Sequence, residues 1–222
     1  MKKVLDLYKK YAYTLFFTFI LLGMVDLRFA LAAIVCMVLP IVFALFGKGR
    51  YWCGNFCPRG NFYDNVMKKI VKPKRKAPKF ISSVWFRVLV IIFLISNFTI
   101  GLMKTWGDLY GMGMVFYRII VITTIVGIIL APFYGHRTWC KFCPMGSLAS
   151  FIARIRKTNG MVIASSCVSC GLCNKSCPMD IDVKSYKGKA VTHPDCISCG
   201  LCEYKCPKKA INYEVSLKKH VL

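Results

Sequence analysis

Eight of the chain's 13 cysteines form two copies of one pattern in its C-terminal part. In each copy, three cysteines are separated by two residues, and a fourth follows after three residues and precedes proline. Three thiolates at this spacing can bind three corners of a cubane of four irons and four sulfides, and the fourth cysteine then binds the other cluster of the pair. We therefore predict two [4Fe–4S] clusters. The ligands are Cys167, Cys170, Cys173 and Cys206 for cluster 1, and Cys196, Cys199, Cys202 and Cys177 for cluster 2.

Structural zinc and disulfides are the alternatives for these eight cysteines. Zinc sites usually present two pairs of ligands separated by a spacer, whereas here a triplet plus Cys-Pro is repeated. Disulfides are rare on the reducing side of a membrane, where we expect this part of the chain. A module of this size also has too small an apolar core to fold alone, so bound clusters would stabilise it.

Four more cysteines lie in two related motifs, each with the form Trp-Cys, Phe-Cys-Pro, one variable residue and Gly. Four thiolates, two from each motif, could bind one further iron–sulfur cluster or a single metal ion. The alternatives are reduced thiols that pack as small apolar groups, or a Cys-Pro pair that ends a helix. The unequal spacing within the two motifs argues against a symmetric site. The cysteines of this possible additional metal site are Cys53, Cys57, Cys140 and Cys143.

Composition indicates a chain with a membrane part and a polar part. It is 56% hydrophobic with a mean hydropathy of +0.51, yet it carries 32 Lys and Arg against 9 Asp and Glu. Such a basic chain could bind nucleic acid, anionic lipid or an acidic protein. We expect no nucleic acid, because the basic residues flank apolar runs, as membrane anchors do.

Four apolar runs predict four transmembrane helices arranged as two hairpins. A secretory signal peptide is a poor explanation of the first run, because a second run follows after only three residues. Lys and Arg are concentrated on one side, which predicts a multi-pass protein of the cell inner membrane with both termini and the cysteine-rich module in the cytoplasm. Trp52 and Trp139 would anchor the hairpins at the lipid headgroups. The runs are 11–25, 29–46, 84–103 and 116–134.

The predicted fold class is a mainly α membrane protein, followed by a small α+β bacterial-type two-cluster ferredoxin module. The membrane domain spans residues 1–147, with the two hairpins and their Cys-Pro motifs as a parallel repeat. An interfacial linker helix, 148–160, leads to the ferredoxin domain, 161–215, and a basic tail occupies 216–222.

These motifs make the chain resemble the NapH/NosR-type membrane ferredoxins, from about Tyr11 to Tyr213. The resemblance implies transmembrane hairpins with Trp-Cys-x-x-x-Cys-Pro motifs, a cytoplasmic two-cluster module, and electron conduction between a quinol pool or cytoplasmic donor and a dedicated reductase or maturation system. The second motif is one residue shorter than the family's form, and a flavin-bearing partner would be another chain. The residues that carry the resemblance are the eight C-terminal cysteines, Trp52 to Pro58, Trp139 to Pro144 and Cys177 to Asp182.

We expect an electron-transfer subunit of an oxidoreductase complex, without catalytic residues of its own. Its expected partners are an acidic ferredoxin or flavodoxin, a membrane reductase subunit and the lipid membrane, with a quinone as a further option. One alternative is a metal reductase that delivers electrons to copper or iron for cofactor assembly, with Met112 and Met114 offering thioethers. The other is a membrane anchor that only docks a redox partner.

Overall fold

The computed structural model of the chain describes residues 2–71, 77–156 and 161–212. The basic tail, 216–222, part of the basic linker, 72–76, and the last residues of the predicted linker helix, 157–160, lie outside this part. The described helices are α1 Lys2–Val25, α2 Ala33–Phe43, α3 Tyr51–Asn55, α4 Pro58–Phe62, α5 Lys68–Ile70, α6 Val84–Lys104, α7 Leu109–Tyr134, α8 Thr138–Phe142, α9 Pro144–Arg156, α10 Leu172–Ser176 and α11 Leu201–Tyr204.

Three helical segments of the described chain are long and apolar enough to cross a membrane: Leu27–Lys48, Val84–Lys104 and Leu109–Tyr134. They correspond to the second, third and fourth predicted spans. The last of them begins earlier than predicted because Asp108 caps it. The Asp108 carboxylate accepts hydrogen bonds from the backbone amides of Tyr110 and Gly111, at 3.0 and 2.9 Å, and so satisfies two otherwise unpaired donors of the first turn.

Helix α1 is 24 residues long but is not among the helices apolar enough to cross a membrane, because its N-terminal half contains many polar residues. Lys9 and Lys10 interrupt the apolar sequence, and only about 15 residues remain before the helix ends, fewer than a membrane span usually needs. The first of the four predicted spans, and with it the arrangement as two hairpins, therefore remains a prediction.

The span Leu27–Lys48 is not a single regular helix. It begins with the 3₁₀ helix Leu27–Ala32, continues as α2, and ends with the π-helical turn Ala44–Lys48. Pro40 inside α2 removes one backbone donor, and Gly47 adopts a positive φ of 76° that L side chains rarely adopt. The chain can therefore leave the helix sharply just before the first cysteine motif.

The chain divides into two compact units. Unit 1 comprises Met1–Leu39 and Phe56–Ser147, and unit 2 comprises Pro40–Asn55 and Leu148–Leu222. Residues 40–55 thus group with the C-terminal part, although the predicted boundaries place them in the membrane domain. The first cysteine motif is divided between the units, with Cys53 in unit 2 and Cys57 in unit 1.

The core of unit 1 is largely aromatic, and Trp139 belongs to it. Trp139 is only 4% exposed, and its ring centroid lies 4.8 Å from that of Phe142 in an edge-to-face arrangement. The prediction that Trp139 anchors a hairpin among lipid headgroups is therefore wrong, because aromatic packing buries the side chain. The other members of this cluster are Phe16, Phe62, Tyr63, Met67, Ile81 and Ala131.

Unit 2 contains a small antiparallel sheet and two short helices. Strand β1, Val162–Ile163, pairs with strand β2, Ile211–Asn212, so that the two ends of the cysteine-rich sequence are joined. The third cysteine of each triplet lies on a one-turn helix, Cys173 on α10 and Cys202 on α11. Strands and helices this short hold little apolar core, which agrees with a module that depends on its cofactors.

Candidate functional sites

Unit 2 contains two cavities that are each lined by four of the repeated cysteines. Ile163, Leu172, Lys208 and Ile211 are among the other residues around the first cavity, and Met161, Val183 and Val191 are among those around the second. The cavities bring the cysteines together in the same two groups of four that the sequence predicts for the clusters. The first is lined by Cys167, Cys170, Cys173 and Cys206, and the second by Cys177, Cys196, Cys199 and Cys202.

The backbone around the two cavities repeats. Ser169 and Ser198, which directly precede the second cysteine of each triplet, have φ values of 55° and 52°. Gly171 and Gly200, which directly follow that cysteine, have φ values of 74° and 83°. Three positive-φ positions per half turn the chain tightly around each cavity, and such turns direct backbone amides inwards. The third pair is Asp180 and Lys209, three residues after the two Cys-Pro cysteines.

Backbone amides of unit 2 point at cysteine sulfurs. The amide of Ser169 donates to Cys167 Sγ at 3.4 Å, and the amide of Ala210 donates to Cys206 Sγ at 3.4 Å. Hydrogen bonds of this kind stabilise negative charge on a thiolate and tune the reduction potential of a bound cluster. The residues therefore fit a cofactor that requires deprotonated sulfur.

Burial works against deprotonation in the absence of a cation. It raises the pKa of the Cys196 thiol and the pKa of the Cys202 thiol. Four anionic sulfurs around one cavity would also repel each other. A positively charged group, such as the irons of a cluster, would supply the compensating charge and allow all four cysteines to bind as thiolates.

A single metal ion suits these cysteines less well than a cluster. Within 2–71, 77–156 and 161–212, no group of three or more His, Cys, Asp or Glu side chains is arranged to hold one ion. The four cysteines of each cavity instead line a shared space, as a cubane requires, because each of its thiolates binds a different iron. The geometry favours iron–sulfur clusters over the zinc alternative.

The two cavities differ in exposure. Val168, beside the first cavity, is 58% exposed, whereas its equivalent beside the second cavity, Ile197, is 2% exposed. Cys170 is exposed, whereas its equivalent Cys199 is partly buried. The side chains around the first cavity are therefore more exposed than their equivalents around the second.

Helix α3 covers the second cavity's cysteine loop. A Cβ atom added to Gly54 would lie 2.0 Å from the carbonyl oxygen of Ile197, so only glycine allows the helix to approach this closely. The Asn55 side-chain amide donates to the carbonyl oxygens of Tyr51, at 2.9 Å, and Ser198, at 3.2 Å. Cys53, on the same helix, is thereby held on an element that packs against the loop from Cys196 to Cys199.

An ion pair reinforces this contact. The buried Arg50 guanidinium, 1% exposed, lies 3.1 Å from the Asp195 carboxylate, which also accepts a hydrogen bond from Ser150 Oγ at 2.9 Å. Asp195 directly precedes Cys196 in the chain. Arg50 partly opposes the effect of burial on the pKa of the Cys196 thiol. A charged pair thus joins residue 50 to the start of the second triplet.

Three of the four motif cysteines, Cys57, Cys140 and Cys143, lie in unit 1 beside two arginines. Arg59 donates through Nη2 to Cys143 Sγ at 3.6 Å, and Arg137 donates through Nη1 to Cys140 Sγ at 3.7 Å. Burial raises the pKa of the Cys140 thiol, and Arg137 acts in the opposite direction. The arginines would stabilise thiolates, or an anionic group bound by these cysteines.

Asp64 balances the charge of Arg137. The two side chains form a bidentate pair with N–O distances of 2.9 and 2.6 Å, and His136 Nε2 lies 3.3 Å from the same carboxylate. Burial raises the pKa of Asp64, but the charge and hydrogen bonds of Arg137 outweigh it, so that the net pKa is well below its usual range. Asp64 therefore remains ionised near neutral pH.

The prolines of the two motifs begin helices. Cys57 is the N-cap of α4, with its sulfur accepting from the Gly60 amide at 3.4 Å, and α9 begins at Pro144. Proline suits the first helical position because its missing N–H would have no helical partner there. The second pair also ends a helix, because Cys143 is the C-cap of α8 and its backbone amide donates to the Trp139 carbonyl oxygen. The suggestion that a Cys-Pro pair ends a helix is therefore confirmed for the second motif.

The arginines that precede the two motifs were not predicted from the sequence, although a signal for them is present there. Arg50 and Arg137 each stand three residues before the first cysteine of a motif, and both form ion pairs with aspartate. In both motifs the cysteine amide donates to the arginine carbonyl oxygen at 3.0 Å. The shared pattern Arg-x-Trp-Cys could have revealed this pair of positions.

Three family models match parts of the chain. A model described as "4Fe-4S binding domain" matches residues 29–78, and two described as "4Fe-4S dicluster domain" match residues 166–211 and 132–182. The chain is therefore an iron–sulfur, ferredoxin-like electron-transport protein with [4Fe–4S] cofactors and apolar helices that could cross a membrane.

Two proteins from Methanocaldococcus jannaschii, both named as uncharacterized, are similar to the chain. Uncharacterized protein MJ0749 is 29% identical over 161 residues, which are 69% of this chain and 61% of that protein. Uncharacterized protein MJ0750 is 24% identical over 174 residues, 71% of this chain and 70% of that protein. The match thus spans about three fifths of the length of the first relative. No solved structure matches the chain.

Proposed function

We propose that the chain is a membrane-bound electron-transfer protein that holds two [4Fe–4S] clusters in unit 2. The observation that carries this proposal is the pair of cavities, each lined by four cysteines in the predicted grouping. Bound there, the clusters would accept and release single electrons. The eight cysteines would hold them, the inward-pointing amides would stabilise their charge, and the apolar lining would limit contact with water.

Metal and spectroscopic analysis of anaerobically purified protein tests this proposal. We expect about eight irons and eight sulfides in unit 2 per chain and a low-temperature EPR signal after reduction with dithionite. Cys36→Ser is a suitable control, because Cys36 lies in α2, outside both cysteine sets. Stoichiometric zinc without an EPR signal would contradict the proposal.

Helix α3 links the second cavity to one of the four motif cysteines. Cys53 lies on this helix, which contacts the loop carrying Cys196 and Cys199 through Gly54 and Asn55. We propose that the second cluster exchanges electrons with a further redox centre at the motif cysteines. From the sequence pattern, Cys53, Cys57, Cys140 and Cys143 would hold that centre, and the match of a 4Fe-4S binding domain to residues 29–78 supports an iron–sulfur identity.

A double variant tests the further centre. In Cys57→Ala/Cys143→Ala, we expect the EPR signals of the two unit 2 clusters to persist, because none of their predicted ligands is altered. Total iron should fall, and transfer to a membrane acceptor should stop. Unchanged iron content, spectra and electron transfer would show that these cysteines are structural.

The proposed membrane arrangement has four helices, with both termini and unit 2 on the cytoplasmic side of the inner membrane. Three apolar helices and the one-sided distribution of Lys and Arg support it. Ser83, the N-cap of α6, and Gly107, between α6 and α7, would then lie on opposite sides. In intact cells, a membrane-impermeant thiol reagent should label Gly107→Cys and spare Ser83→Cys, and the reverse result would invert the topology.

The proposed partners are redox proteins: an acidic ferredoxin or flavodoxin on the cytoplasmic side and a reductase subunit in the membrane, with quinone as an alternative acceptor. The basic composition supports an acidic carrier. The combination of motif cysteines with a two-cluster module supports a place among the NapH/NosR-type membrane ferredoxins. Identification of proteins that co-purify from mild detergent would test these partners.

A further inference from the structure

The first cavity presents an exposed apolar surface beside its cysteines. Val168 is 58% exposed and Leu172 is 43% exposed, and Cys170 between them is exposed as well. All three residues line the cavity. The three residues are clustered at one cavity, and a cluster of exposed apolar side chains with a polar rim, unlike single exposed side chains, marks an interaction site.

The charge around this surface is positive. Lys208 is exposed and lines the first cavity, and its lining includes no Asp or Glu. The neighbouring Lys205 and Lys209 are exposed as well. An apolar centre with a basic rim is the arrangement of a transient interface that steers an oppositely charged partner.

The second cavity offers no such surface. Its lining contains no charged side chain, and Ile197, the equivalent of Val168, is buried beneath Gly54. Cys199 and Leu201, the equivalents of Cys170 and Leu172, are only partly exposed. A protein approaching from outside would therefore find more exposed side chains around the first cavity than around the second.

We propose that an acidic one-electron carrier docks on the exposed face of the first cavity, formed by Val168, Cys170, Leu172 and Lys208. This inference rests on the proposed function, since it requires a cluster in that cavity. One electron passes between the reduced carrier and that cluster, so that the carrier is oxidised as the cluster is reduced. No bond or proton transfer is involved. The open cavity is then the entry point, and the covered cavity is the connection to helix α3.

The test measures binding as well as electron transfer. Full-length protein in nanodiscs of neutral lipid is titrated with an oxidised acidic flavodoxin at low salt, and the Kd is compared among variants. Lys208→Glu should raise the Kd about threefold to tenfold, because it reverses one rim charge. The matched control is Lys187→Glu, which reverses an exposed lysine that lines neither cavity and should leave the Kd unchanged. The difference in Kd between Lys208→Glu and the wild type should vanish at about 0.5 M salt, where charges are screened.

A second variant keeps the proposal testable if Lys208→Glu disturbs the cluster. Val168→Glu places a negative charge at the centre of the exposed face and should weaken binding at least as much. Reduction by dithionite, a small reductant that needs no docking surface, should proceed at the wild-type rate in all variants.

Three results would overturn the proposal. Lys208→Glu and Lys187→Glu could change the Kd equally, or Lys208→Glu and Val168→Glu could both leave it unchanged. Alternatively, both face variants could reduce binding to phosphatidylserine vesicles while carrier binding stays constant, which would assign the face to lipid. In each case a wild-type iron content and EPR signal would leave the proposed function standing, whereas absent clusters in the wild-type protein would refute that function itself.

Discussion

The two halves of the cysteine-rich module have the same backbone and different surroundings. Three positions in each half adopt the same positive φ, and each half contributes three cysteines to one cavity and one to the other. Yet Val168 is exposed and Ile197 is buried. The difference comes from helix α3, which packs on one half and leaves the other open.

This comparison shows that a repeated sequence does not imply repeated roles. The conformation of the two cysteine loops depends on local spacing, which both copies share. The burial of each loop depends on residues far away in the chain. Arg50, Gly54 and Asn55 contact Asp195, Ile197 and Ser198, more than 140 residues later. A chain with two like clusters can thereby give one of them to an external partner and the other to an internal connection.

The largest expected effect comes from removing one ligand in each half. Cys173→Ala should remove the first cluster and Cys202→Ala the second, so that each variant keeps about half of the iron in unit 2. The EPR spectra of the two variants should differ and together account for the wild-type spectrum. Iron analysis and EPR provide the check, with Cys36→Ala as the unaffected control. Identical residual spectra would mean that the cavities are not separate sites.

The ion pair of the covered half should contribute strongly to stability. Asp195→Asn removes the carboxylate charge that pairs with the buried Arg50 guanidinium, which should lower the free energy of unfolding by about 2–4 kcal/mol. Thermal unfolding followed by cluster absorbance measures the change. Glu203→Gln, which neutralises a partly exposed carboxylate in the same module, serves as the control and should have little effect. Equal shifts in both variants would argue against a special role for the Arg50 pair.

A methyl group at residue 54 should disturb only the covered half. The new Cβ of Gly54→Ala would collide with the Ile197 carbonyl, so that α3 must move, at a cost of about 1–3 kcal/mol. We expect an altered EPR signal for the second cluster and an unchanged one for the first. Gly101→Ala is the control. Its new Cβ would lie 3.0 Å from a side-chain carbon of Val115, which can move more easily than a backbone carbonyl group, so the effect on the second cluster should be smaller. A change confined to the first cluster would contradict the assigned packing.

The smallest of these effects should come from the side-chain amide at residue 55. Asn55→Ala loses two hydrogen bonds to carbonyl oxygens, one of them to Ser198, and should destabilise unit 2 by about 1–2 kcal/mol. The control Asn97→Ala loses a hydrogen bond to Phe93 within α6, a contact confined to one turn of the same helix. Unfolding curves that show a larger loss for Asn97→Ala would contradict the account.

Local sequence patterns predicted which four cysteines line each cavity and three of the helices that are apolar enough to cross a membrane, because both depend on short-range spacing or on hydropathy. Cluster binding by these cysteines stays a prediction. The patterns failed for Trp139, since the sequence gives no sign that Phe142 and its neighbours enclose the ring. The pairing of Arg50 with Asp195 and of Arg137 with Asp64 was also missed, because hydropathy and motif spacing do not specify which acid meets which base across a fold.

The asymmetry between the cavities is tested most directly by asking which cluster an acidic carrier reduces. Stopped-flow reduction by a reduced acidic flavodoxin at low salt should be about tenfold slower or more in Cys173→Ala than in wild type, because the docking face then has no cluster beneath it. In Cys202→Ala, the initial reduction should stay close to the wild-type rate, and dithionite should reduce both variants equally well. The account would be contradicted if Cys202→Ala slowed the reaction as much as Cys173→Ala, or if Cys173→Ala left it unchanged.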